Sequence, residues 1–219
     1  MTRLGVDRAL VAGEWAEGDV EIDDGVVVSV GVPRRSSSGL AATPGFVDLQ
    51  VNGAAGIDLR REGADGVLRV ARALLATGVT AFQPTCYSTD LDGYLAFLHA
   101  VREARHVQRE GGADGARILP AHLEGPFLSP RWAGAHDPEM LMDPDLEVLD
   151  ALLAVGPVGM LTLAPELPGG MDVVRRASNA GVVVSVGHSD ATAAQTAAAV
   201  DAGALALTHC WNAHRRMTA

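Results

Sequence analysis

Three side chains of this sequence could together bind a catalytic metal ion. They are the carboxylate of Glu124 and the imidazoles of His188 and His209, and each lies at the end of a separate apolar, strand-like run. One carboxylate and two imidazoles are typical ligands of catalytic divalent ions, because they leave an open position where water can be made nucleophilic. A single histidine at a strand end is more often hydrogen-bonded structure, so the interpretation depends on the three occurring together.

The elements that must position these residues alternate between strand and helix patterns. From residue 44 onward, apolar runs that predict strands are separated by segments with helical periodicity, as in parallel β/α units. Since parallel strands of a barrel place their carboxyl ends on one rim, the three candidate ligands are expected to converge there. The predicted strands cover residues 46–52, 79–87, 117–124, 160–165, 182–188 and 205–211.

The predicted helices have recognisable ends. Asp90 is expected to be an N-cap, Pro144 the first residue of a helix, and Gly78 a C-terminal cap. Residues 1–43 instead show short β-like runs among Gly, Asp and Ser residues, which predict part of a small β-sandwich domain. We therefore expect a domain boundary between residues 43 and 44. The predicted helices cover residues 64–76, 90–109, 143–155, 170–180 and 191–202.

Six short motifs resemble, in chain order, those of the N-acetylglucosamine-6-phosphate deacetylases of the amidohydrolase superfamily. One match of this length carries a real false-positive risk, whereas the ordered set extends across essentially the whole chain. The motifs are PGFVDLQVNG at 44–53, HLEGPF at 122–127, GAH at 134–136, LTLAPE at 161–166, GHSDAT at 187–192 and THCWNA at 208–213.

This resemblance implies an α/β fold, a (β/α)₈ TIM barrel of the amidohydrolase type. A complete barrel has eight strands in about 250 residues, so residues 44–219 would be a barrel truncated after its sixth strand. The implied activity is hydrolysis of the N-acetyl amide of N-acetylglucosamine 6-phosphate with one divalent metal ion. The implied residues are Glu124, His188 and His209 for the metal, Ala135 and His136 for the sugar, and Asn212 and Ala213 for the phosphate.

The first predicted strand departs from a pattern common in amidohydrolases. It carries Gln50 and Asn52 where many have His-x-His, and carboxamides are weak ligands for zinc-type ions. We therefore predict one tightly held ion, zinc in preference to iron, manganese or cobalt, with Gln50 near the reactive water. His122 shares a strand face with Glu124, so it could orient a ligand or simply fill the interior.

For other residues in the predicted strand-end loops, two roles are possible from the sequence. Trp132 could stack on a sugar or cap its loop, and Glu166 could line a site or bond loop backbone. Arg215 could attract phosphate or lie in a solvated turn, with the solvated turn favoured. Arg131, next to Trp132, lies in the loop that covers the substrate in the resembled family.

No catalytic acid or base is identified in the chain. The aspartate that moves the proton in the resembled family lies on a later strand, beyond Ala219, and its loss typically slows such reactions by ~10²–10⁴-fold. One alternative is therefore a catalytically silent fragment or pseudoenzyme that retains metal or sugar-phosphate binding. Another is an amidohydrolase that acts on a different N-acyl substrate.

Composition narrows the classes of partner. The net charge of −10 disfavours nucleic acid and anionic membrane surfaces, and so favours a small-molecule substrate. Two distant cysteines, Cys86 and Cys210, suit a reducing compartment, and the chain shows no export signal, so we expect a cytoplasmic protein. The resemblance further implies a homodimer for the full-length protein.

Overall fold

The structure is a computed structural model that describes residues 1–216. The chain forms two compact units, Met1–Phe46 and Val47–Ala219. Within the described residues, no helix has the length and apolar character needed to cross a bilayer.

The N-terminal unit is built from short strands in two small sheets. β4 pairs antiparallel with β1 and β5, while β2 pairs antiparallel with β3 and parallel with β6. Both sheets contribute to a small core around Val6, Ala9 and Val20. The strands are β1 (Thr2–Arg3), β2 (Arg8–Val11), β3 (Glu14–Glu17), β4 (Asp19–Asp23), β5 (Val26–Val32) and β6 (Ala41–Ala42).

The C-terminal unit alternates strands and helices as predicted. Its strands are β7 (Phe46–Val51), β8 (Gly53–Ala54), β9 (Ile57–Asp58), β10 (Val79–Tyr87), β11 (Arg117–Ile118), β12 (Ala121–Glu124), β13 (Val158–Leu163), β14 (Val183–Val186) and β15 (Ala204–Leu207). Its helices are α1 (Gly63–Leu74), α2 (Leu91–Arg109), α3 (Leu146–Val155), α4 (Gly170–Asn179) and α5 (Ala193–Asp201).

The order of the strands distinguishes this sheet from a doubly wound one. β7 pairs with β10, and β10, β12, β13, β14 and β15 then follow one another as parallel neighbours in chain order. A doubly wound sheet reverses its order at a switch point, whereas a barrel adds every β/α unit on the same side. The described residues therefore form a curled parallel sheet of six barrel-type strands, with β11 and β12 as two parts of the predicted third strand.

Alternation along the strands separates an apolar layer from a polar one. On β12, Leu123 joins the core between sheet and helices, whereas His122 and Glu124 face the opposite side. On β13, Leu161 belongs to that core and Thr162 to the polar side. The helices cover one face of the sheet, and the other face is left for hydrogen-bonding side chains.

The polar side carries a buried belt of hydroxyl groups. Thr162 Oγ1 is 2.7 Å from both His122 Nε2 and Thr208 Oγ1, and Ser185 Oγ is 2.7 Å from Thr208 Oγ1. Thr85 Oγ1 accepts the N–H of Val51 at 3.1 Å, which extends the belt toward β7. Buried polar groups are stable only when hydrogen-bonded, so this belt supports the sheet beneath its rim.

Some predicted element ends are confirmed and others are wrong. Asp90 caps α2 by accepting the N–H of Gly93, and Gly78 takes the left-handed conformation after α1 and a short 3₁₀ turn. Pro144 is not the first residue of α3, because Asp145 accepts the N–H groups of Glu147 and Val148 and so starts the helix later. The sixth strand ends at residue 207 rather than 211.

Candidate metal centre

The three predicted ligands meet at one rim of the sheet. Glu124 ends β12, while His188 and His209 each lie two residues beyond the ends of β14 and β15. Oε1 of Glu124 is 3.3 Å from Nε2 of His188 and 2.9 Å from Nε2 of His209. Ligand atoms of the three residues lie within 4.8 Å of one another. A carboxylate oxygen and two imidazole nitrogens aimed at one point are donors that fit a zinc-type ion.

The backbone turns sharply where the two histidines occur. His188 has φ 50° and His209 has φ 59°, the left-handed region that few residues other than glycine adopt. A Cβ at Gly187 would lie 2.7 Å from side-chain atoms of both Thr162 and Thr208, so only glycine fits there without displacing neighbours. These local features turn both imidazoles toward Glu124, and such turns are common at functional sites.

Glu124 is ionised at neutral pH. Burial raises the pKa of its carboxyl, but the hydrogen bond from His188 and the charges of the nearby imidazoles outweigh burial and lower the pKa to about 2. The side chain is nearly inaccessible to solvent. A buried negative charge requires positive partners, so this site is electrostatically suited to a cation.

His188 is oriented by its second nitrogen. Nδ1 lies 2.8 Å from the carbonyl oxygen of Trp132, which can only accept a hydrogen bond, so Nδ1 carries the proton and Nε2 faces Glu124. Burial lowers the pKa of His188, but the hydrogen bonds to Glu124 and Trp132 outweigh burial and raise the pKa. Histidines that bind metals commonly donate their other N–H to a backbone carbonyl in this way.

His136 is held in the opposite tautomer. The backbone N–H of Ser88 lies 3.2 Å from Nδ1, and because an N–H can only donate, Nδ1 must accept. The neutral ring therefore carries its proton on Nε2, which lies 3.9 Å from Oε2 of Glu124. Burial, followed by the charge of His188, lowers the pKa of His136 to about 4. His136 is thus a neutral hydrogen-bond donor beside the ligand cluster.

A cavity of about 650 Å³ opens beside these residues. This volume lies within the range that small-molecule sites occupy. The cavity brings together the three predicted metal ligands, the predicted substrate residues Ala135, His136, Asn212 and Ala213, and Gln50. The other lining residues are Asn52, Tyr87, Arg131, Trp132 and Gly134.

His122 lies apart from this cavity lining. It is buried in the hydroxyl belt, bonded to Thr162, with Thr85 Oγ1 3.5 Å from its Nδ1. Burial lowers the pKa of His122 to about 4. These contacts favour the interior-packing reading over direct orientation of a metal ligand.

Sequence reasoning missed two residues at the end of β10. Tyr87 lines the cavity and stacks against the guanidinium of Arg60, whose carbon lies 3.4 Å from the ring centre. Ser88 fixes the tautomer of His136, as described above. The available signal was their position at the carboxyl end of a predicted strand, where barrels place functional groups.

The parallel strands in chain order form a barrel-type sheet, and the carboxylate–imidazole cluster lies at their carboxyl ends, where barrel enzymes place their active sites. No family model matches the chain. N-acetylglucosamine-6-phosphate deacetylase of Bos taurus is 38% identical over 187 residues, which are 82% of this chain and 44% of that protein. N-acetylgalactosamine-6-phosphate deacetylase of Escherichia coli O157:H7 is 35% identical over 213 residues, which are 94% of this chain and 55% of that protein.

A solved structure shows the same relationship. It is a mutant N-acetyl-D-glucosamine-6-phosphate deacetylase from Mycobacterium smegmatis in complex with N-acetyl-D-glucosamine-6-phosphate. The TM-score is 0.82 at 36% identity, over 96% of this chain and 56% of that chain. The chain is therefore homologous over most of its length to N-acetylglucosamine-6-phosphate deacetylases, as its motifs predicted. It spans about half the length of the curated relatives that it matches.

Proposed function

We propose that the protein containing this chain hydrolyses the N-acetyl amide of N-acetylglucosamine 6-phosphate, giving glucosamine 6-phosphate and acetate. The observation that carries the proposal is the convergence of Glu124, His188 and His209 beside a cavity of about 650 Å³. Homology supports the choice of substrate, because a solved relative holds this sugar phosphate.

The proposed cofactor is one divalent ion, zinc in preference to iron, manganese or cobalt, held by Glu124, His188 and His209. When bound, such an ion supplies Lewis acidity toward a carbonyl oxygen and lowers the pKa of water. Gln50 and Asn52 offer only carboxamides to the cavity, and these weak ligands support a single site. Gln50 is proposed to orient the attacking water.

The N–H of His136 is proposed to bind the substrate. Ser88 leaves the proton of the neutral ring on Nε2, at the wall of the cavity near Glu124. A donor fixed there would hydrogen-bond the acetyl carbonyl and stabilise negative charge that develops on its oxygen. Ala135, next to it in the lining, would contact the sugar.

The phosphate is proposed to lie near Asn212 and Ala213. The backbone N–H of Asn212 already donates to the carbonyl of His209 at 2.8 Å. We therefore assign any phosphate contact of Asn212 to its side-chain amide, which is exposed at the cavity. In this placement the acetyl group lies near the metal ligands and the phosphate lies near Asn212 and Ala213.

Proton transfer needs a group that the described lining lacks. Within residues 1–216, the carboxylate that lines the cavity is that of Glu124, which is already bonded to two imidazoles. A missing general acid or base typically costs ~10²–10⁴-fold in rate. We therefore expect the 219-residue chain to bind metal and substrate but to turn over slowly.

We also propose that the six described barrel-type strands belong to a closed eight-stranded barrel. β7 and β15 lie at the two edges of the sheet, and Val47, Leu49, Leu205 and Leu207 on them expose about half or more of their surface. Exposed apolar edges of this kind are normally covered. A homodimer of the full-length protein stays a prediction, which sedimentation velocity would check.

The test combines metal content with ligand binding. Elemental analysis of the zinc-loaded chain should find one zinc per chain, and His209→Ala should lose it, while His106→Ala, at an exposed helix position, should retain it. Calorimetry should show binding of N-acetylglucosamine 6-phosphate and weaker binding of unphosphorylated N-acetylglucosamine. N-acetylgalactosamine 6-phosphate belongs in the same panel because of the Escherichia coli relative. A wild-type chain without metal would refute the proposal, and equal binding with and without phosphate would refute the phosphate preference.

A further inference from the structure

We propose that Asp190 is a positioning residue that fixes the orientation of His188 by holding Trp132. The inference rests on the proposed function, because it concerns how a proposed metal ligand is aimed. Asp190 does not line the cavity and is not one of the proposed metal ligands, so it would act only through its neighbours.

The carboxylate of Asp190 joins loops from three strands. Its Oδ1 accepts the indole N–H of Trp132 at 2.8 Å, in the loop after β12. Its Oδ2 accepts from Arg131 at 2.9 Å and from Arg215 at 3.0 Å, and Arg215 lies in the segment after β15. Asp190 follows β14, so one side chain ties together the loops that carry or contact all three proposed ligands.

Trp132 transmits this restraint to His188. The same residue that gives its indole N–H to Asp190 gives its carbonyl oxygen to Nδ1 of His188, at 2.8 Å. The backbone N–H of Ser129 also donates to the carbonyl of His188 at 2.9 Å. Residues 129–132 and 188–190 are therefore clamped by several hydrogen bonds. A fixed indole restrains the backbone of Trp132, and the carbonyl oxygen of Trp132 in turn restrains the imidazole of His188.

Glu166 anchors the clamp from a fourth loop. Its carboxylate accepts the backbone N–H of Asp190 and the hydroxyl of Ser189, the latter at 2.7 Å. Glu166 therefore bonds loop backbone, which is one of the two roles that the sequence left open for it. Trp132 likewise is held by Asp190 through its indole while it lines the cavity.

An ordinary surface ion pair is the competing explanation for Asp190. Exposed pairs contribute little, because solvent screens them, and Arg131 is largely exposed. The indole bond is different, since it holds Trp132, whose carbonyl oxygen bonds the proposed ligand His188. Residues that orient metal ligands typically change metal affinity by ~10–100-fold when substituted.

The test measures cobalt binding by the wild-type chain and its variants. Asp190→Ala removes the acceptor, and Trp132→Phe removes the indole N–H while keeping an aromatic ring. Asp172→Ala is the matched control, because Asp172 forms an exposed pair with Arg175 at 2.8 Å on α4, away from the cavity lining. Cobalt affinity is obtained by competition with a chelator, and the visible absorption of bound cobalt reports its coordination geometry.

Asp190→Ala and Trp132→Phe should each weaken cobalt binding about tenfold, the lower end of the range for orienting residues, and alter the cobalt spectrum. The double variant should be no weaker than either single one, because the two residues act through one bond. Asp172→Ala should match the wild type.

A wild-type chain that takes up no cobalt would refute the proposed function. Cobalt binding that is equal in wild type, Asp190→Ala and Trp132→Phe would refute the clamp alone. If Asp190→Ala does not fold, Trp132→Phe decides the outcome.

Discussion

A buried carboxylate in each unit of the chain, Glu124 in one and Asp19 in the other, is bonded differently. In the C-terminal unit, an extensive apolar core lies between the sheet and its helices, and Glu124 accepts hydrogen bonds from side chains at a strand end. In the N-terminal unit, the core is small, and Asp19 accepts the backbone N–H groups of Gly5, Val6 and Val20 at 2.9–3.0 Å. Asp7 similarly accepts from a backbone turn.

This difference reflects how much apolar surface each unit can bury. A large core stabilises a fold by itself, so polar groups at its rim are free to serve chemistry. A small core leaves more of the stability to hydrogen bonds with the backbone. We therefore expect substitution of Glu124 to affect metal binding more than stability, whereas substitution of Asp19 should affect stability.

Phe97→Ala should have the largest effect on folding. Phe97 on α2 is a buried residue of the apolar core, and truncation of a buried phenylalanine typically costs ~3–5 kcal/mol. Denaturant unfolding of the metal-free chain measures this free energy, and Val200→Ala, at a half-exposed position on α5, is the control. Equal loss in the two variants would mean that core packing does not dominate stability.

Glu124→Gln should separate metal binding from folding. It removes the negative charge that both imidazoles face, and we expect zinc affinity to fall by more than ~100-fold, the upper end of the effect of losing an orienting residue. Competition with a chromophoric chelator measures the affinity. Glu139→Gln, at an exposed position, should bind zinc like the wild type. Unchanged affinity in Glu124→Gln would exclude Glu124 as a ligand.

Thr162→Val tests whether the hydroxyl belt is structural. Valine keeps the shape but removes the hydrogen-bond partner of His122 Nε2, while Thr208 Oγ1 retains Ser185. A buried group left unpaired typically costs ~1–3 kcal/mol. Thr162→Ser retains the hydroxyl and should lose less stability. The comparison would fail if serine proved as damaging as valine, because the methyl group would then be the important part.

Acid should act on the N-terminal unit through Asp7. The hydrogen bond from Ser37, and those from the amides of Ser38 and Gly39, hold the pKa of Asp7 below its ordinary value of 3.8. A lowered pKa in the folded state stabilises the fold above pH 3.8, and that contribution is lost as the pH falls below it. The protection factors of the amides of Ser38 and Gly39, which correct hydrogen exchange for its intrinsic pH dependence, should therefore fall in acid, and Asp7→Asn should remove this fall. Protection factors in the wild type that stay constant with pH would contradict this assignment.

Most of the sheet could be predicted because its signals are local. Strand and helix patterns, the Asp90 cap and the position of Gly78 follow from short-range periodicity and backbone preference. The start of α3 was misplaced because Asp145 competes with Pro144 for the helix terminus, and its side chain bonds two backbone N–H groups. The sixth strand was predicted too long because its apolar pattern continues into a loop that turns at His209.

The sequence by itself determined the alternation of strands and helices, the carboxylate and imidazoles at three strand ends, and the motifs that predicted the deacetylase relationship. Only the tertiary structure decided which nitrogen of each histidine faces Glu124, that Ser88 and Trp132 set those tautomers, and that Asp190 connects the loops. The physical reason is the separation in sequence over which each interaction acts. Periodicity and capping act between near neighbours, whereas a hydrogen bond across the rim joins residues that are distant in sequence and become neighbours only when parallel strands align.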